Sequence, residues 1–152
     1  MSLNNMKYQF HVYIGPSASN TLRVSLPSFN DNGAPVKFAI TSLIGQLSNA
    51  DPAVNVSSAI SIHCPQLANE HSYWQDGNGK VWNDLIEMSA VNSQFISNPF
   101  NSIINDNALG FILPTYMRDN YELTFYARDQ DGDLLTNLKY AVICCDIYQS
   151  QI

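Results

Sequence analysis

The chain has 152 residues, of which 45% are hydrophobic and 11% aromatic, yet only 13% are charged, and its formal net charge is −6. An acidic balance without a run of Lys or Arg argues against binding of nucleic-acid phosphates, because that affinity comes from clustered cations displacing counterions. No window approaches the roughly 18 apolar residues that span a bilayer. The missing polarity is supplied by 17 Asn and 16 Ser. Neutral amides and hydroxyls cost less to desolvate than charges, which suits a protein packed against neighbours.

In chain order, the first element is an alternating strand: Tyr8, Phe10, Val12 and Ile14 on one face, Gln9, His11 and Tyr13 on the other, stopped by Gly15-Pro16-Ser17. Leu22, Val24 and Leu26 make a second strand before Pro27. Asn30-Asp31-Asn32-Gly33 has the composition of a tight turn, after which Val36, Phe38 and Ile40 alternate with Lys37, Ala39 and Thr41 in a third strand expected to reach Ile44. A polar loop from Ser48 to Ser58 precedes a fourth strand, Ala59 to Cys64, halted by Pro65.

Asp76-Gly77-Asn78-Gly79 is a dense turn signal. Val81 to Val91 fits either a helix face or a strand, and strand is the reading adopted. Residues 92 to 107 are expected to be a long loop, and Leu109 to Leu113 a short strand ending at Pro114. Tyr121, Leu123, Phe125 and Ala127 alternate along a seventh strand. Asp129-Gln130-Asp131-Gly132-Asp133 reads as a hairpin turn, and Leu138, Tyr140, Val142 and Cys144 alternate along the eighth. Apolar residues on both faces of that last strand imply cover on both sides, by the core and by something further, for which a partner subunit is one candidate.

About eight strands with turn signals between them and no convincing long helix define an all-β antiparallel sandwich or barrel, in one domain over residues 1–152. Strand number alone leaves jelly-roll, immunoglobulin-like and lipocalin topologies open. Uneven and sometimes long connections favour the single jelly roll.

Few residues suggest chemistry. Asp129, Asp131 and Asp133 space carboxylates as a calcium loop does, but Gly132 is fourth and Tyr140 twelfth where an EF-hand needs Gly sixth and Glu twelfth, so a structural turn is expected. His63, Cys64 and His71 lack a fourth zinc ligand nearby, and a strand would turn His63 and Cys64 to opposite faces. No nucleophile elbow, P-loop or dinucleotide fingerprint occurs, so neither catalysis nor a cofactor is expected. Cys64, Cys144 and Cys145 are odd in number, two of them adjacent, and read as reduced core thiols. The first seven residues carry no apolar stretch of a signal peptide, so folding in the cytosol is expected, and the sequon Asn55-Val56-Ser57 is read as chance. Tyr73, Trp74 and Trp82 flank the Asp76–Gly79 turn, where aromatics beside Asn and Asp suit either a subunit interface or a sugar platform.

The succession Val36 to Ile44, Ile60-Ser61-Ile62-His63-Cys64-Pro65-Gln66-Leu67, and Leu123 through Asp129-Gln130-Asp131-Gly132-Asp133-Leu134-Leu135 before a final apolar strand resembles single-jelly-roll capsid proteins. These are the minor capsid and penton proteins of large eukaryotic double-stranded DNA viruses, virophages and polinton-like elements. The resemblance covers residues 36 to 148. It implies that Asp129, Asp131 and Gly132 form the turn before the last strand, that Ile60, Ile62 and Cys64 line an inner face, and that neither group is catalytic. It further implies partnership with copies of itself, a pentamer above all, and with a major capsid protein, in a virion assembled in the host cytoplasm. The chain has no room for the spike insertion of many vertex pentons and carries no basic N-terminal arm. A carbohydrate-binding β-sandwich module is the alternative.

Overall fold

The computed structural model describes residues 5–26, 34–48, 59–68, 73–90, 94–97, 111–117 and 120–150. The Asn30–Gly33 turn, the sequon and His71 lie outside them. Eleven antiparallel strands are found among the described residues: β1 (Asn5–Ile14), β2 (Ser19–Ser25), β3 (Val36–Leu47), β4 (Ala59–His63), β5 (Trp74–Gln75), β6 (Val81–Trp82), β7 (Leu85–Ala90), β8 (Gln94–Ser97), β9 (Phe111–Ile112), β10 (Asn120–Arg128) and β11 (Leu138–Ser150). Two single 3-10 turns, Pro65–Leu67 and Thr115–Met117, complete the regular structure. One sheet has the order β1-β11-β3-β8 with β9 also on β3; the second runs β2-β10-β4-β7; β5 and β6 pair only with each other. The protein is thus an all-β sandwich.

Eleven strands replace the eight expected, for three local reasons. Val81 to Val91 is interrupted at Asn83-Asp84 and so contributes both β6 and β7. The segment read as loop from 92 to 107 contains β8, which pairs with Leu43 to Gln46 and so is placed by a partner remote in sequence. Trp74-Gln75 is too short to show alternation and becomes strand only by pairing with Val81-Trp82.

The two large sheets close over one core. Val12 and Ile14 of β1, Phe38, Ile40, Leu43 and Leu47 of β3, and Ile143, Cys145 and Ile147 of β11 meet Ile60 and Ile62 of β4 and Leu123 and Phe125 of β10. The Phe38 and Phe125 rings touch across the sandwich at 5.8 Å. On β1 the alternation holds from Lys7 to Ile14: Lys7, Gln9, His11 and Tyr13 are exposed and the residues between them are not.

β3 breaks its alternation by design. Cys144 lies opposite Ser42 while Cys145 lies opposite Ile40, so Thr41 is an extra residue, and its Oγ1 donates to the Cys144 carbonyl at 3.1 Å. A bulge shifts the phase of every later side chain. Leu43 and Leu47 therefore take the core positions, and Ile44, in phase with Ile40 by strict alternation, is turned out to 38% exposure.

β11 runs centrally between β1 and β3, and of Leu138 to Gln149 only Lys139 is exposed. Its thiols are free, and burial pushes both Cys64 and Cys145 up to about 12, which keeps them as unreactive core groups. The Asp129–Asp133 segment closes a short hairpin on the end of β10, with Asp129 N–H donating to the Asp133 carbonyl at 2.8 Å, Leu135 N–H to the Ala127 carbonyl at 3.1 Å and Leu134 bridged antiparallel to Arg128, after which the chain crosses to β11 in the other sheet. No helix among the described residues is long and apolar enough to cross a membrane.

Candidate functional site

One cluster of polar and aromatic residues gathers on the outer face of the β2-β10-β4-β7 sheet. In Ala59-Ile60-Ser61-Ile62-His63-Cys64 the apolar residues alternate with Ser61 and His63, so Ile60, Ile62 and Cys64 enter the core while Ser61 and His63 point the other way. Both are nevertheless buried, at 1% and 0% exposure. What covers His63 is the β5–β6 hairpin: the Trp74 ring lies 5.5 Å from it and the Trp82 ring 5.0 Å.

The hairpin is symmetric about Asn78, which makes Trp74 and Trp82 cross-strand partners on one face. Asp76 shapes its turn: Oδ1 accepts the amides of Asn78 at 2.8 Å and Lys80 at 3.0 Å, while Oδ2 accepts Trp82 Nε1–H at 2.8 Å. The Trp82 hydrogen bond, followed by the two amides and the Lys80 charge, holds the Asp76 carboxyl below its ordinary value. Trp82 is further engaged by Lys80 Nζ at 3.8 Å and the Arg128 guanidinium at 4.4 Å from the ring centroid.

This turn docks onto the acidic one. Gly77 N–H donates to the Gln130 carbonyl at 2.8 Å and Asn78 Nδ2 to that of Asp131 at 3.0 Å, while within the acidic turn Arg128 Nη1 donates to the Gly132 carbonyl at 3.0 Å. Asp129 Oδ1 is spent on the amides of Asp131 and Asp133, at 2.9 and 3.1 Å. Gly132, at φ +84°, completes the turn, and a Cβ there would strike the Asp76 carboxylate and the Trp82 ring. Among the described residues no group of three His, Cys, Asp or Glu side chains is arranged to hold a metal.

Beneath the hairpin lies a chain that the spacing of residues did not reveal. His63 Nδ1 is 2.6 Å from Asp84 Oδ1 and its Nε2 is 2.9 Å from Ser61 Oγ, whose hydrogen is donated to the Arg128 carbonyl at 3.3 Å. The order Ser–His–Asp is that of a hydrolase triad. Here the hydroxyl has no open side, so a substrate would reach it only if the hairpin moved away. As packed, the three groups satisfy one another inside the sheet's cover, as buried polar groups must. Ser61 and His63 were legible as polar interruptions of an apolar strand, but Asp84 comes from a β6–β7 connection placed by tertiary folding.

The aromatics therefore divide. Trp82 has its ring faced by two cations and its Nε1–H committed to Asp76, Trp74 is half-buried against His63, and Tyr73 alone stands out, at 64% exposure. Replacing Trp82 by Phe should weaken the hairpin chiefly through Asp76. A carboxyl held below its ordinary 3.8 adds stability that is present above that pH and lost as the pH falls through the lower folded value. Urea unfolding should thus show the variant less stable than the wild type at neutral pH, with the gap closing in strong acid. A gap that stayed constant with pH would mean the bond to Asp76 contributes nothing.

Compared with known proteins, the chain matches no family model and no curated protein. Fold and site together define a two-sheet, all-β protein with a polar clasp locked onto one face.

Proposed function

We propose that this chain is a structural capsid protein, a penton or minor capsid component of an icosahedral double-stranded DNA virus, built as a single jelly roll and acting by packing rather than by chemistry. The observation that carries this reading is the pairing order. β1 pairs with β11, β2 with β10, β3 with β8 and β4 with β7. First pairs with last at every level, as in one long hairpin, and successive pairs alternate between the two sheets, joined by β11–β3 and β10–β4. Rolling up such a hairpin gives the jelly roll, an architecture of viral capsid and lectin domains. On this reading β5, β6 and β9 are short additions to eight principal strands.

The surface supports assembly. Tyr13, Ile44, Tyr73, Val81, Ile112 and Tyr116 are exposed, on a chain with few charges, and Tyr is favoured at interfaces while Lys and Glu are depleted. The expected partners are copies of itself, most simply as a pentamer, and a major capsid protein, within a virion assembled in the host cytoplasm. The sugar-binding alternative retains exposed Tyr73 but loses Trp82 as a free platform.

Light scattering on the purified chain tests this. The expected result is a mass near five times 17.0 kDa, or a larger assembly. A concentration-independent monomer that binds glycans, with binding lost in Tyr73→Ala, would replace the capsid reading by the sugar-binding one.

A further inference from the structure

Asp146 lies in the middle of the five-stranded sheet, opposite Gln9 of β1 and Ala39 of β3. Its neighbours Cys145 and Ile147 belong to the core, so its own side chain sits on the sheet's outer face. It is nonetheless only 2% exposed. Its Oδ1 is buried without a hydrogen-bond partner, and its Oδ2 lies 3.9 Å from the Nζ of Lys7, a side chain itself 50% exposed. An ionised carboxylate here has lost its water and gained one long, solvent-screened ion pair in exchange.

We propose that Asp146 is a proton switch on the seam between the first and last strands, neutral and tightly held in weak acid, ionised and loosening that seam as the pH rises. The charged and titratable groups beside it on that face, within two residues along each strand, are Lys7 and His11 on β1, Lys37 on β3, and Cys144 and Tyr148 on β11, with Tyr13 and Tyr140 farther along it, by strand register. Of the ion pairs the structure shows, Asp146 makes one, with Lys7. Burial pushes the Asp146 carboxyl up and Lys7 pulls it back, burial being the larger influence. A carboxyl raised in the folded state contributes stability that is fully present below its unfolded value, 3.8, and is lost as the pH rises through the folded one. Glu87 of β7 is pushed in the same direction by burial and has a buried, unpartnered Oε2, so it needs its own control.

The test is urea unfolding of the full chain at about pH 4.5 and about pH 7.5, a window above the acid range in which Asp76 titrates. The wild-type midpoint is expected to be higher at the lower pH. In Asp146→Asn the midpoint at the higher pH should rise and most of the pH difference should vanish, while Glu87→Gln should leave the Asp146-dependent part in place. An Asp146→Asn protein no more stable than wild type at the higher pH, or one keeping the whole pH difference, would overturn the proposal. Should that variant fail to fold, the carboxyl carbon resonance of Asp146 in the wild type decides: the acid form persisting at the lower pH is expected, and the fully ionised form there overturns it.

Discussion

Replacing Gly132 by Ala is expected to destabilise the protein and release the β5–β6 hairpin from the outer face of its sheet. Two causes act together. At φ +84° any residue with a Cβ is strained by about 1–2 kcal/mol. The new methyl would also occupy the space of the Asp76 carboxylate and press on the Trp82 ring, the hydrogen-bonded pair that shapes the β5–β6 hairpin where it meets the acidic turn. Gly79 supplies the control, because its φ is +86° but the nearest atom to an added Cβ is the Gln75 side-chain nitrogen at 3.8 Å. Gly79→Ala should thus show the backbone strain alone. Urea unfolding should place Gly132→Ala clearly below Gly79→Ala, and tryptophan emission of the folded Gly132→Ala protein should shift to the red as Trp74 and Trp82 gain water. Equal destabilisation with unchanged emission would mean that the turns do not hold each other.

Phe125→Ala is expected to cost about 3–5 kcal/mol, the range for deleting a fully buried aromatic ring. Phe125 is 0% exposed and meets Phe38 of the opposite sheet, so its loss opens a cavity where the two layers touch. β10 is hydrogen-bonded to β2 on one side and β4 on the other, which limits how far the backbone can collapse into the void. Against a total stability of about 5–15 kcal/mol this is a large fraction. The urea midpoint should fall with an unchanged slope. A cost under about 1 kcal/mol would mean that the sheets do not depend on this contact, against the close packing that cavity costs imply.

Much of the fold is visible in the chain because a half-buried strand writes its two faces alternately. β1 and β10 were readable residue by residue, down to exposed Glu122 between buried Tyr121 and Leu123. Failures occurred where a partner, rather than the local pattern, makes the strand: β8 against Leu43 to Gln46, and β5 against β6. The outward turn of Ile44 was not legible either, because the extra residue at Thr41 is a property of the β3–β11 pair and leaves no mark in either sequence alone.

The candidate site divides in the same way. The sequence by itself determined that the chain is all-β, that glycine-containing turns fall at residues 76–79 and 129–133, and that Ser61 and His63 interrupt an apolar strand, since these follow from side-chain period and backbone freedom. Only the tertiary structure decided that the two turns clasp each other, that Trp74 and Trp82 close over His63, and that Asp84 meets it from 21 residues away. Those contacts join segments whose separation in the chain carries no period, and it is the rolling of one sheet face beneath a hairpin that brings them within hydrogen-bond reach. The low charge of the surface belongs to the sequence; the placement of the Asp146 carboxylate, with Oδ1 unpartnered and Oδ2 in one long ion pair to Lys7, inside the outer face of the five-stranded sheet belongs to the fold, because burial there is set by neighbouring strands rather than by Asp146 itself.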